Sequence, residues 1–194
     1  MSNTSTNTNN PTNTNNPTNT AKNHVYAELV HVFATGGTID KIYFDALSEY
    51  QVGEPQVSEI LSDTGTDIPH QVTRICQKDS LEIDETDRNN LASAIKASAH
   101  SKILVTHGTD TMALTAQYLQ AAGIMDKTIV FVGAMHPAVF KESDAPFNVG
   151  FALGALQALP AGIWVAMSGG IFSAETVEKN RANKKFQVRA TDGP

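Results

Sequence analysis

Short β-branched apolar runs that end in hydroxyl- and glycine-rich turns recur along this chain, and they restrict what it can fold into. Leu29-Val30-His31-Val32-Phe33 reads as a buried strand and delivers into Ala34-Thr35-Gly36-Gly37-Thr38-Ile39-Asp40. The two glycines let the backbone turn sharply and lie close to a ligand. The neighbouring threonines supply hydroxyls that can hydrogen-bond or attack. Lys102–Thr106 repeats the design, with His107-Gly108-Thr109-Asp110-Thr111 breaking the strand ahead of a helical pattern. Ligands of open parallel sheets bind at the carboxyl ends of strands. Two such turns therefore predict one site built from both, with a hydrolase nucleophile on the first.

The rest of the chain continues the alternation. Lys41–Phe44 and Ser48–Gly53 resemble a hairpin or extended flap, with Tyr50 on it. Val57–Leu61 predicts one or two helical turns, and Val72–Cys76 a strand that leads to the polar trio Lys78-Asp79-Ser80. Asp84 is a candidate N-cap, with Asp87 as its capping-box partner, for a helix to about Ala99. A following helix is expected to present Leu114, Tyr118 and Ala121 and to stop at Gly123. Thr128–Val132 is a strand that ends in Gly133-Ala134-Met135-His136-Pro137. Val149, Leu153 and Leu156 mark a helical face, and Gly162–Met167 a strand broken by Gly169-Gly170. The remainder is polar and poorly periodic. Alternating strands and helices predict an α/β fold: a doubly wound parallel sheet with helices on both faces.

Met1 is the one apolar side chain among the first twenty residues, the others being Asn, Thr, Ser and Pro. Such a segment cannot build a core, so residues 1–21 are expected to form a disordered tail and residues 22–194 a single domain. The net charge of −6, with scattered lysines and arginines, argues against a nucleic-acid partner. No run approaches the ~18 apolar residues of a membrane span. Cys76 is the sole cysteine, which excludes an internal disulfide framework and agrees with a cytoplasmic location.

Taken alone, Thr-Gly-Gly-Thr is compatible with a structural or phosphate-binding turn as well as with a nucleophile. No Gly-x-Gly-x-x-Gly follows a predicted strand and no phosphate loop is present, so nucleotide binding falls behind. The histidines form no metal-ligand pattern, and no Gly-x-Ser-x-Gly elbow is visible. What remains is a hydroxyl nucleophile without an obvious histidine base. A threonine needs a group to take its proton. Lys78 and Lys179 are the candidates, with Asp110 as the orienting carboxylate. His107 is read as making a structural hydrogen bond.

In combination, Ala34–Ile39 and Thr106-His107-Gly108-Thr109-Asp110-Thr111-Met112 resemble the two signature segments of bacterial-type L-asparaginases. Tyr50–Gly53 resembles the flap of that family, and Asp79-Ser80-Leu81-Glu82-Ile83 its Asp-Ser loop. Gly133–Pro137, Ser143–Asn148 and Val177-Glu178-Lys179-Asn180 are similar to further family segments, in order from Leu29 to Asn180. The resemblance implies an amidohydrolase that converts L-asparagine to L-aspartate and ammonia without cofactor or metal. It makes Thr38 the acylated nucleophile, Tyr50 its helper on the flap, and Thr109, Asp110 and Lys179 a second catalytic constellation. Asp79, Ser80, Thr109 and Asp110 would bind the substrate, and Thr35 would be structural. It also implies a homo-oligomer. Long family members carry a second domain for which this chain has no room, so a short single-domain form is expected. Leu81 departs from the family by standing where a polar substrate contact is common. A glutaminase or mixed amidase, and a non-catalytic amino-acid-binding module, are the alternative functions.

Overall fold

The computed structural model describes residues 1, 28–44 and 49–190. The expected tail of residues 1–21, the start of the domain, Ser48 on the flap and the last four residues lie outside them. Five strands of a six-stranded sheet are parallel: β1 (Val30–Gly36), β4 (His70–Lys78), β5 (Lys102–Thr106), β6 (Thr128–Val132) and β7 (Gly162–Met167). The hydrogen-bonded order is β4-β1-β5-β6-β7, followed by β8 (Gly170–Ser173) antiparallel on the edge. β5 and β6 are near-continuous apolar runs because helices cover both their faces. Ile103, Leu104, Val105, Ile129, Val130 and Phe131 are all buried, each burial contributing roughly 1.5–3 kcal/mol for a full side chain.

Four helices complete the layers. α1 (Val57–Asp63) packs with α4 (Ala145–Ala158), and α2 (Glu85–Ala97) packs with α3 (Met112–Ala121). The α/β fold with helices on both faces is as expected. α3 and α4 belong to crossovers that step in the same direction across the sheet yet pack with different partners on opposite faces. One of these two connections therefore departs from the right-handed rule. Asp84 caps α2 as predicted, accepting from Asp87 N at 3.0 Å while Asp84 N donates back to Asp87 at 3.0 Å. Gly123 follows α3 with φ +73 and stops it.

Three expectations are corrected. The helix α3 buries Met112, Thr115, Ala116 and Leu119, while Leu114 is exposed: the core-facing stripe is rotated from the one read in the sequence. Gly169 does not simply break the sheet. Ser168 and Gly169 both have positive φ (52° and 79°), which is the twist a two-residue hairpin needs, so β8 folds back on β7. The polar C-terminal remainder forms a second hairpin, β9 (Val177–Asn180) with β10 (Lys185–Val188). The flap is present as β2 (Lys41–Phe44) paired with β3 (Glu49–Val52).

From β1 the chain moves to the β4 edge and then returns to β5 on the other side of β1. The crevice between the carboxyl ends of β1 and β5 is thus the switch point where such sheets hold ligands.

Candidate active site

The two glycine turns meet at this crevice. Gly37 has φ +88, and a Cβ there would sit 2.3 Å from Gly108 N and Cα. A Cβ on Gly108 would in turn lie 2.6 Å from Ser80 Cβ. Only glycine lets the turns after β1 and β5 pack this closely. Thr35 Oγ1 donates to Thr106 O at 2.9 Å and ties the two strands together just beneath, the structural role expected for it.

Thr38 opens a short 3-10 turn and is half-buried. Thr109 and Asp110 follow β5, and Lys179 arrives from β9. Lys179 Nζ donates to Thr109 Oγ1 at 2.7 Å and to Asp110 Oδ1 at 2.6 Å. The Lys179 side chain is 9% exposed against 42% for Asp110, so the amine is enclosed and its carboxylate partner faces water. Gln117 Nε2 donates to Val177 O at 3.0 Å and fastens β9 to α3. Thr38, Thr109, Asp110 and Lys179 together line one cavity of about 530 Å³, with Met135, His136, Arg181 and Lys184.

The loop after β6 is shaped by Asp144. Its carboxylate accepts from Met135 N and His136 N at 3.0 Å and from Asn148 Nδ2 at 2.8 Å. Asn148 also donates to Gly133 O at 3.1 Å and accepts from Ser168 N at 3.0 Å. Asp144 and Asn148 had no assigned role in the sequence; their signal was the Ser143–Asn148 segment itself.

Other expected site residues are placed elsewhere. Tyr50 is exposed, its ring edge-on to Tyr43 at 5.5 Å and Phe140 at 5.9 Å, and it does not line the cavity. Asp79 is taken by Lys41 Nζ at 2.7 Å and by Leu81 N at 3.3 Å. Burial opposes its ionisation, but these contacts hold its carboxyl below the usual range. Ser80 is buried beneath Gly108, with its carbonyl accepting from Thr111 Oγ1 at 2.6 Å. Neither lines the cavity. Lys78, the second candidate amine, donates to Asp87 at 2.6 Å, and that bond raises its pKa, so it is held as a cation away from the threonines.

His107 lies under the site with Nδ1 2.8 Å from Gly108 O. Burial pushes its pKa down to about 4, so it is neutral at physiological pH. One ring nitrogen makes the expected structural bond, while Nε2 is buried without a partner among the described residues. Cys76 Sγ donates to Thr35 O at 3.3 Å, and burial pushes the thiol up to about 11, in keeping with a plain packed thiol. No group of three or more His, Cys, Asp or Glu side chains suited to a metal ion occurs among the described residues. No helix among them is long and apolar enough to cross a membrane.

Residues 29–192 match the family described as Asparaginase, N-terminal. The chain is 31% identical over 163 residues to a probable periplasmic L-asparaginase of Haemophilus influenzae, covering 77% of this chain and 46% of that protein. It is 30% identical over 169 residues to a glutaminase-asparaginase of Acinetobacter glutaminasificans, covering 77% and 49%. Among solved structures, the thermostable L-asparaginase of Thermococcus kodakarensis superposes with a TM-score of 0.71 at 26% identity. That match covers 82% of this chain and 51% of the other. A probable cytoplasmic L-asparaginase from Campylobacter jejuni gives 0.65 at 29% identity, over 83% and 51%. The chain thus spans about half the length of the curated relatives it matches.

Proposed function

The chain belongs to the asparaginase family, which it matches through the family's N-terminal domain, and from that premise we propose that it hydrolyses the side-chain amide of L-asparagine. One observation carries the proposal: Lys179 Nζ within 2.7 Å of Thr109 Oγ1 and 2.6 Å of Asp110 Oδ1, in a cavity shared with Thr38. Three groups in contact beside a second hydroxyl form a nucleophile, a proton relay and an orienting carboxylate. Thr38 Oγ1 attacks the amide carbonyl and gives up its proton toward the Thr109–Lys179 pair. The Lys179–Thr109 relay returns a proton to the amide nitrogen, which leaves as ammonia. Water then adds to the ester carbon, releases L-aspartate and restores the Thr38 hydroxyl. Asp110 holds Lys179 in place and, being half-exposed, is available to a substrate ammonium. Tyr50, Asp79 and Ser80 enter this scheme only if the flap and the Asp-Ser turn move toward bound substrate.

A second assignment of the nucleophile has a specific observation behind it. Thr109, not Thr38, is the hydroxyl in direct contact with Lys179. Substrate choice is equally a matter for experiment, because one methylene is worth only ~1–3 kcal/mol in a pocket. A homo-oligomer is part of the proposal on the strength of the family resemblance, and a cytoplasmic location on that of the single cysteine; relatives are named as periplasmic and as cytoplasmic.

The test is ammonia release from L-asparagine, with L-glutamine in parallel, by wild type and Thr38→Ala. Asparagine-selective release that collapses in the variant supports nucleophile and substrate together. Equal release from glutamine makes the protein a mixed amidase. No release from either by folded wild type leaves the amino-acid-binding module as the better account.

A further inference from the structure

Arg181 and Lys184 lie in the four-residue turn between Asn180 and Lys185, which are paired across β9 and β10. Both are exposed, and both line the cavity that holds Thr38, Thr109, Asp110 and Lys179. Neither has an ion-pair partner among the described residues. The acid of the cavity, Asp110, is matched by Lys179 at 2.6 Å. Two cations are therefore left over at the mouth of a cleft in a chain whose net charge is −6. Such a local excess against the overall sign attracts an anionic ligand. Lys184 is also held at φ +56, a conformation that glycine and asparagine adopt with less strain.

At the Asp79–Leu81 turn, the neighbouring cation Lys41 is already matched by Asp79 at 2.7 Å. Ser80 is 2% exposed, and Leu81 presents an apolar side chain that is 65% exposed. We propose that Arg181 and Lys184 bind the carboxylate of the substrate, so that the site selects amides that carry a negative charge beyond the reacting carbonyl. The proposal rests on the amide-hydrolase reading and names the group that the β9–β10 turn recognises. Arg181 supplies a planar fork suited to a carboxylate, and Lys184 a second positive charge beside it. An amide without that carboxylate loses both interactions while it keeps its contacts at Thr38.

The experiment pairs binding with turnover on the full chain. Binding of L-aspartate is followed by titration calorimetry. Ammonia release is measured from L-asparagine and from β-alaninamide, which has the same amine and amide but no α-carboxylate. The variants are Arg181→Gln combined with Lys184→Asn, where asparagine suits the left-handed backbone, and Arg181→Lys, which keeps the charge. The double variant is expected to weaken aspartate binding about tenfold or more. It should lower the ratio of kcat/KM for asparagine over β-alaninamide by a similar factor, through KM. Arg181→Lys, which keeps the charge but not the fork, falls between wild type and the double variant, and added salt weakens wild-type binding. If wild type releases ammonia from neither amide but binds aspartate in a way that needs Arg181 and Lys184, the hydrolase reading fails and the anion site stands. An unchanged dissociation constant and ratio in the folded double variant overturn the proposal, as does wild type that binds no aspartate at millimolar concentration.

Discussion

Lys78 and Lys179 have the same side chain and different surroundings. The Lys78 side chain donates to Asp87 in the first turn of α2 and does not line the cavity. Lys179 is enclosed between Thr109 and Asp110. We predict that Lys179→Met lowers kcat/KM for L-asparagine by ~10²-fold or more, as loss of a proton-transfer group does. Lys78→Met is predicted to change the rate little while it lowers the urea midpoint. Asp40 gives a separate test. It is 1% exposed, its Oδ1 accepts from Gln56 N at 2.9 Å, and burial raises its pKa to about 7. The folded protein then holds a proton on Asp40 between about pH 4 and pH 7 that the unfolded chain has already lost. The stability this proton supports is fully present below the ordinary carboxyl pKa and is lost as pH rises through about 7. The displacement corresponds to about 4 kcal/mol as an upper bound. Asp40→Asn keeps an acceptor for Gln56 and removes the titration. Its unfolding free energy relative to wild type should therefore grow from pH 4 to pH 7 and level off above; a constant difference contradicts the assignment.

At the level of elements, the site depends on how closely the turns after β1 and β5 approach. Gly37→Ala would place a methyl 2.3 Å from Gly108 in a backbone conformation unsuited to alanine. We predict a loss of roughly 2 kcal/mol or more in urea unfolding together with loss of activity, since the clash must move one of the two turns. The same scale shows what could be read beforehand. Thr128–Val132 and Lys102–Thr106 were legible because strands covered on both faces are written as unbroken apolar runs. The β9–β10 hairpin was not, because Glu178, Lys179 and Asn180 face the site and solvent rather than a core, which leaves no hydrophobic alternation to find. The buried face of α3 is hidden from the sequence for a related reason. Thr115 lies on the buried stripe while Leu114 points outward, so polarity assigned the wrong side. The recurring strand-end turns single out Thr38, Thr109 and Asp110, the family resemblance singles out Lys179 over Lys78, and the four line one cavity. Tyr50, Asp79 and Ser80 carried equally clear motifs yet stand apart from it. A motif fixes a residue's place in the chain, whereas the distance it keeps from the cavity depends on the flap and on the pairing of Asp79 with Lys41.

The four residues of the proposed relay lie where the strand order reverses between β1 and β5, and all four come from a single chain. The homo-oligomer reading predicts a mass in solution that is a multiple of 20.8 kDa, measured by light scattering; a single-chain mass at working concentration contradicts it. If a neighbouring copy completes the site, specific activity falls on dilution through the dissociation range. The claim at the centre of the account is that Thr38 carries the acyl group during amide hydrolysis. The measurement that addresses it is rapid acid quenching of wild type with L-asparagine, followed by intact-mass and peptide mass spectrometry. The account predicts an aspartyl ester, with the mass of asparagine less ammonia, on the peptide that contains Thr38. That adduct should be absent in Thr38→Ala. An adduct on Thr109, or turnover without any acylated threonine, would contradict it.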